Sequence, residues 1–141
     1  MTFKGIKGLF LADGHPSDTI ISLHELNYTR NCPSLLSFVK AAHHGSKKNT
    51  SPDLELIRTP VYAFTANGIS NKHPDKEALA RILTYNLSIG QPVKLLFAAD
   101  TNEIKVLFDV DPGAEARYNF TQSFSTATEK FVALTYLPLT K

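Results

Sequence analysis

Five polar side chains that could bind a metal ion or transfer a proton lie at the ends of apolar segments or in the loops that follow them. They are Asp13, His43, His44, Ser46 and His73. Imidazole nitrogens and carboxylate oxygens are zinc ligands, and histidine is also the commonest general acid or base. Because adjacent residues of a strand point to opposite faces, His43 and His44 share a site only if the backbone turns at Gly45. Taken alone, such a pair is more typical of histidines in structural hydrogen bonds.

The composition limits how such a site could be built. The chain has 141 residues, of which 43% are hydrophobic, and this fits a single globular domain with a core. A net charge of +2 is too small to indicate a nucleic acid or a membrane surface as a partner. The single cysteine, Cys32, excludes an internal disulfide and a zinc ribbon, so any metal must be bound by histidines and carboxylates. The apolar stretch at residues 8–12 is too short for a signal peptide or a membrane span, and we expect a cytoplasmic protein.

The elements that must position these side chains alternate between strands and helices. Strands are predicted over residues 5–13, 35–42, 61–65, 93–98 and 103–110, and helices over residues 18–30, 51–58 and 75–85. The last two strands flank the polar turn 99–102 and are predicted to form a β-hairpin. One or two further strands are predicted after Pro112. This order indicates a layered α/β sheet, in which ligands bind where strands end.

The segment from Phe38 to Leu83 resembles the C-terminal half of metallo-β-lactamase-fold hydrolases, especially the hydrolase domain of competence-type DNA-uptake proteins. The shared pattern is a strand ending in His-His-Gly-Ser, a polar loop, a short helix, a strand, a loop ending in His-Pro, and a helix. Upstream, a strand ends in Asp13, 30 residues before His43. The resemblance covers residues 5–110 and leaves 113–141 as a β-rich extension of one domain, 1–141. It implies a half or truncated αββα sandwich with extra C-terminal β-strands.

The resemblance also implies a role for each polar residue. Asp13 corresponds to the carboxylate that bridges two divalent metals, and His44 corresponds to a late metal-binding histidine. His43 takes that position if the register is shifted by one residue. Ser46 and His73 correspond to residues that shape the pocket or contact the substrate, and a turn-stabilising role is an equally open alternative. The implied cofactor is zinc, with manganese as the alternative, and the metal would supply a hydroxide that attacks a phosphodiester or nucleic acid.

The family draws most of its ligands from a His-x-His-x-Asp-His motif, and this sequence contains no His-x-His. A two-metal centre therefore cannot be assembled from this chain alone. The expected function is that of the C-terminal portion of a hydrolase, completed by a chain that carries the missing N-terminal half or by a homodimer. The alternative is a non-catalytic interaction module or a degenerate scaffold without metal. A half-sandwich would expose an apolar sheet face, as interaction surfaces do.

Overall fold

Eight β-strands are present in the computed structural model, which describes residues 2–3, 5–50 and 52–125. The strands are β1 (Thr2–Phe3), β2 (Ile6–Phe10), β3 (Ser34–Leu35), β4 (Phe38–Lys40), β5 (Ile57–Arg58), β6 (Val61–Phe64), β7 (Val93–Phe97) and β8 (Phe120–Phe124). The helices are α1 (Pro16–Glu25), α2 (Lys76–Ser88), α3 (Asn102–Asp109) and α4 (Ala114–Tyr118), and short 3₁₀ turns span Ala42–Gly45, Lys47–Asn49 and Pro52–Leu56. None of the described helices has the length and apolar character needed to cross a membrane.

A six-stranded sheet in the order β1-β2-β4-β6-β7-β8 forms the centre of the fold, and β3 and β5 form a small separate parallel pair. The strands from β2 to β8 run parallel, and β1 is antiparallel to β2. Within this sheet, each parallel strand lies beside the strand of the sheet that comes next along the chain. Because crossovers between parallel strands are right-handed, this order places the connecting helices on one face of the sheet. The general α/β class predicted from the sequence is confirmed.

The core lies between the sheet and these helices. One row of aligned side chains on the core face consists of Leu9, Val39, Tyr62 and Leu95. Val39, Tyr62 and Leu95 are buried, and the Asn86 side-chain amide of α2 donates to the Tyr62 hydroxyl at 3.4 Å. Val39 is β-branched and Tyr62 is aromatic, and residues of these types suit a sheet that is packed on that face.

The next row along the strands faces the opposite side of the sheet, which we call the helix-free face. This row consists of Phe10, Lys40, Ala63 and Leu96. Phe10 is 56% exposed, whereas Leu96 is buried. Phe10 also packs edge-to-face on Phe38, with ring centroids 5.3 Å apart. Among the described residues, α2 and α3 contact the core face, since Asn86 bonds to Tyr62 and Phe108 packs on Phe97. The helix-free face is exposed at Phe10 and buried at Leu96.

The β-hairpin predicted over 93–110 is wrong in its second half. Residues 93–97 form β7, but Asn102–Asp109 is the helix α3. Ile104, Leu107 and Phe108 recur at helical spacing, and Phe108 contacts Phe97 with ring centroids 6.0 Å apart. Ile104 is fully buried while Val106 is 49% exposed, although a strand would place both on the same face. The β-branched residues of this segment favoured a strand, and packing against the sheet selected a helix.

Other element boundaries also differ from the prediction. Helix α1 is capped by the His15 imidazole, which accepts from the Ser17 backbone N–H, and it ends at Glu25 instead of residue 30. The strand predicted over 35–42 is divided into β3 and β4, and the helix predicted over 51–58 is a 3₁₀ turn followed by β5. After Pro112 the chain forms α4, which was not predicted, and then β8. The apolar stretch 131–137 lies outside the described residues.

Candidate functional site

The carboxyl ends of β2, β4 and β6 carry polar residues that meet at one edge of the sheet. Backbone hydrogen bonds continue between the chains beyond the strands. The His43 N–H donates to the Ala12 carbonyl at 2.7 Å, and the Ala41 N–H donates to the Ala63 carbonyl at 2.9 Å. These bonds hold the segment after β4 between the segment that follows β2 and the strand β6. The sequence therefore brings its polar strand ends together because the strands are parallel neighbours.

The backbone at the histidine pair is left-handed over three consecutive residues. The φ angles are +41° at His43, +57° at His44 and +93° at Gly45. The backbone turn that a shared site requires is thus present, and it begins at His43. Left-handed backbone costs about 1–2 kcal/mol at each residue that is not glycine. The left-handed backbone ends the alternation of side chains between the two faces of the sheet. Both imidazoles therefore lie at the same edge, with ring centroids 6.3 Å apart.

Asp13 and His43 form an exposed carboxylate–imidazole pair. The Asp13 Oδ1 atom lies 3.6 Å from His43 Nδ1, and the two side chains are 77% and 45% exposed. Such an exposed pair contributes about 1 kcal/mol or less to stability. The pair is notable for its position, because both side chains are accessible to a ligand from solvent. The resemblance favoured His44 as the partner of Asp13, and the structure places His43 beside it.

His44 contacts the end of β6 and lines a cavity. Its Nδ1 atom lies 2.8 Å from Thr65 Oγ1, and both residues line a cavity of about 220 Å³. The other residues that line the cavity are Ala66, Asn67, Gly68, Ser70, Asn71 and His73. No Asp or Glu of the described residues is among them. The cavity thus presents hydroxyl, amide and imidazole groups to whatever enters it.

His73 joins the same edge from the loop before α2. Its ring packs edge-to-face on the His43 ring, with centroids 5.7 Å apart. The His73 Nδ1 atom lies 3.4 Å from Asp75 Oδ1, without hydrogen-bond geometry, and the side chain is 16% exposed. We call Asp13, His43, His44 and His73 the strand-end cluster. It combines four groups that the sequence separates by as many as 60 residues.

Ser46 is buried and does not line the cavity in the described part of the chain. Its hydroxyl accepts from the Lys48 backbone N–H at 3.3 Å, and its carbonyl accepts from the Thr50 hydroxyl at 3.0 Å. These are the contacts of a residue that caps a turn. They correspond to the turn-stabilising alternative of the sequence analysis, and a contact with substrate stays a prediction.

Charged residues of α2 hold the loop that follows the histidines. The Arg81 guanidinium donates to the carbonyls of Lys47 and Thr50, each at 2.8 Å, and to the Glu77 carboxylate at 2.6 Å. The Lys47 ammonium lies 3.2 Å from the Glu77 carboxylate, and its backbone N–H donates to Asp75 at 2.8 Å. The hydrogen bond and charge of Lys47, together with the charge of Arg81, hold the pKa of Glu77 below its ordinary value. The loop is thus tied to the first turns of α2.

The strand-end cluster has the donor types of a metal site, but its arrangement does not enclose a metal. Across residues 2–3, 5–50 and 52–125, no three His, Cys, Asp or Glu side chains are placed so that they could hold one ion. A structural zinc site needs four ligands, and a catalytic zinc site needs three protein ligands and a water. The described residues therefore do not fit a complete metal site, and no reaction step is derived through one.

Comparisons with known proteins found no match: none among the protein-family models, the curated proteins or the solved structures.

Sequence reasoning missed Thr65 as a site residue. It was assigned to the end of the strand 61–65, and it follows β6 as Asp13 and His43 follow β2 and β4. The same rule that selected the acid and the histidines applies to it, because polar residues after parallel strands share one edge. Threonine is also a common strand residue, so a threonine at position 65 does not by itself indicate a site.

Proposed function

We propose that this chain is the C-terminal part of a metal-dependent hydrolase of the metallo-β-lactamase fold. In this proposal the strand-end cluster supplies part of an active site that a second polypeptide segment completes. The observation that carries the proposal is the approach of the Asp13 carboxylate to the His43 imidazole on a left-handed backbone, at a distance of 3.6 Å. Strained backbone of this kind clusters at functional sites, where the surrounding structure holds it in place.

The chemistry of the cluster supports a divalent metal as its ligand. Asp13 and His43 are both exposed, so a cation can reach them without rearrangement of the fold. Carboxylate and imidazole together suit zinc, and manganese is the alternative. When bound, such a metal would lower the pKa of a coordinated water toward neutrality. The chain's own contribution would be to hold Asp13 and His43 at one edge, with the remaining ligands coming from outside the described residues.

The cavity beside the cluster supports a phosphodiester or nucleic acid as the substrate. It is lined by two imidazoles, by the hydroxyls of Thr65 and Ser70 and by the amides of Asn67 and Asn71. Hydroxyl and amide groups donate hydrogen bonds to anionic oxygens, and no described Asp or Glu lines the cavity to repel them. A phosphate group in the cavity would therefore find hydrogen-bond donors beside His44 and His73 of the strand-end cluster.

The partner in this proposal is a chain that carries the missing N-terminal half. Phe10, which is exposed on the helix-free face, supports it, although Leu96 on the same face is buried. An αββα sandwich buries this face of the sheet against a second sheet. A homodimer is the competing arrangement, and a doubling of the native mass when zinc or manganese is added would favour it.

Paramagnetic Mn²⁺ tests whether the cluster binds a cation. The purified chain is titrated with Mn²⁺ while its amide NMR signals are recorded. We expect the signals of residues 12–15 and 42–46 to broaden first. Asp13→Asn and His43→Gln should each weaken this broadening by about 10-fold or more, because each removes a ligand. His24→Gln is the matched control, since the exposed His24 imidazole on α1 contacts the Tyr28 carbonyl.

Broadening that begins elsewhere, or that Asp13→Asn leaves unchanged, would contradict the proposal. That result would favour the second candidate function, a scaffold without catalysis. This candidate is supported by the lack of three converging ligands among the described residues. In that case His43 and His44 serve as structural hydrogen-bonding groups at the end of β4.

A further inference from the structure

We propose that the open edge of β8 is a docking surface for residues 131–137 of the same chain, which pair with it as an antiparallel strand and fill the groove beside α3. This pairing goes beyond the proposed function and does not depend on it. The segment 131–137 has the sequence FVALTYL and lies outside the described residues. The described residues next to it present a surface that suits such a strand.

Strand β8 ends the order of the large sheet, and among the described strands it pairs only with β7. The hydrogen bonds at the two ends of this pairing use the Asn119 carbonyl and the Ser125 N–H. Bonding to one neighbour alternates along a strand of a parallel pair, so Phe120, Gln122 and Phe124 direct their backbone groups away from β7. The edge therefore offers the backbone donors and acceptors of these three residues to another strand.

A groove of about 650 Å³ lies beside this edge and is lined by β8, α3 and α4. Its lining includes the rings of Phe108, Phe120 and Phe124. The Phe108 ring lies 5.6 Å from the Phe120 ring, and the Phe124 ring stacks on Phe97 at 5.3 Å, both measured between centroids. Such an aromatic lining suits a strand that carries apolar side chains on one face.

Gln122 shows that the groove continues the core face of the sheet. It is aligned with Leu95 and so extends the row of core-face residues to the edge of the sheet. Its Oε1 atom is buried and has no hydrogen-bond partner among the described residues. Buried acceptors are unfavourable without a donor, and the segment 131–137 carries two hydroxyl donors, Thr135 and Tyr136.

The segment 131–137 has the composition of a strand. Phe131, Val132, Thr135 and Tyr136 are aromatic or β-branched, and none of the seven residues is charged. Pro138 follows directly, and a proline cannot donate to a strand ladder. The segment is thus long enough to cover the five residues of β8.

The connection between β8 and this segment determines the direction of pairing. It consists of residues 125–130. A parallel neighbour needs a crossover of about a dozen residues or more, whereas short connections join antiparallel neighbours. A short tether also holds the segment near the edge at an effective concentration on the order of millimolar. The chain's own segment is therefore favoured over a second copy of the chain.

NMR of the full chain tests the pairing. Facing residues of antiparallel strands bring their Hα atoms close together, so we expect Hα–Hα NOEs between residues 120–124 and 131–137. The amides of Phe120, Gln122 and Phe124 should exchange with deuterium about 100-fold more slowly than free amides, because they are hydrogen-bonded.

Proline substitutions in the full chain show whether the segment causes this protection. Ala133→Pro and Leu134→Pro affect adjacent residues, so one of them removes a donor that faces β8 in either register. At least one of the two should speed the exchange of the three β8 amides by about 10-fold or more. Leu139→Pro is the matched control, since it makes the same change beyond Pro138, and it should leave the exchange unchanged.

Three results would overturn the proposal. One is fast exchange of the three amides in the unmodified chain, and another is protection that neither proline variant changes. The third is protection that is lost on dilution, which would show that a second copy of the chain occupies the edge. If the proline variants do not fold, the NOEs of the unmodified chain decide: their presence supports the pairing and their absence overturns it.

Discussion

Gly45 shows how closely the backbone at the histidine pair is packed. Its φ of +93° is one that L-residues rarely adopt, and the space for a side chain is taken by Pro74 and Phe64. Gly45→Ala should therefore lower the free energy of unfolding by about 2–5 kcal/mol, since conformational strain and overpacking add. Denaturant unfolding measures this loss. The same substitution should disturb the NMR signals of His43 and His44.

Gly90 provides the matched control for Gly45→Ala. Its φ is +67°, and apart from its chain neighbours nothing lies within 4 Å of the position that a Cβ would occupy. Gly90→Ala should cost about 1–2 kcal/mol, from conformation alone. Equal losses in the two variants would show that packing does not hold the turn at Gly45.

The sequence predicts the positions of the cluster residues better than their orientation. Asp13 and His43 were expected at neighbouring strand ends, and the structure brings them within 3.6 Å. The left-handed backbone of His43 and His44 was not predictable, because residues other than glycine adopt it too rarely for a pattern to indicate it. The pairing of His44 with Thr65 was missed for the same reason, since it depends on that turn.

At the scale of elements, α2 stabilises the loop after the histidines through Glu77, whose pKa is lowered by Lys47 and then by Arg81. A lowered pKa in the folded state means that ionised Glu77 stabilises the fold above the ordinary pKa of 4.5 and that this contribution is lost as the pH falls through the folded-state value. Glu77→Gln should therefore be less stable than the unmodified chain near neutral pH, and the difference should shrink in acid. Unfolding measured at several pH values checks this.

Two features make the Glu77 experiment decisive. The carboxylate is exposed, so the effect should also weaken at high salt. Asp111→Asn is the control, because Asp111 pairs with Arg117 of α4 at 2.7 Å. A stability difference that is constant across the acidic range would contradict the assigned role of Glu77.

Helix α3 provides a sharp test of the element that the sequence analysis assigned incorrectly. Ile104 is fully buried and Val106 is 49% exposed. Ile104→Ala should cost about 2–5 kcal/mol, and Val106→Ala should stay within about 0.5 kcal/mol. Thermal or denaturant unfolding measures both. Similar losses at the two positions would instead indicate a strand, in which alternate residues share a face.

The reason for that error is physical. The segment 103–110 contains β-branched residues that suit a strand, and it follows a strand after a short polar turn. Its apolar spacing fits a helix equally well, so local sequence leaves both structures open. Tertiary packing selects the helix, because Phe97 and Phe120 form ring contacts with Phe108 once the sheet is assembled. By contrast, α2 was predicted with nearly correct bounds because its acidic start and helical apolar spacing agree.

At the scale of the whole molecule, the two faces of the sheet should respond differently to substitution. Leu95 lies on the helix-covered face and is fully buried, whereas Phe10 lies on the helix-free face. Leu95→Ala should cost about 2–5 kcal/mol. Phe10→Ser should cost about 1 kcal/mol or less, mainly from its contact with Phe38. Unfolding of the purified chain compares the two, and a large loss from Phe10→Ser would show that the helix-free face is packed around Phe10 in the isolated protein.

The strand order of the large sheet, in which each parallel strand is the neighbour of the next in the chain, bears on how the protein is made. When a strand leaves the ribosome, the strand that it will pair with has already been synthesised. The sheet can therefore grow from one edge to the other during translation, and few pairings have to wait for distant parts of the chain. The turn after β4 carries both histidines. It is completed when β6 pairs with β4 and Thr65, which follows β6, contacts His44.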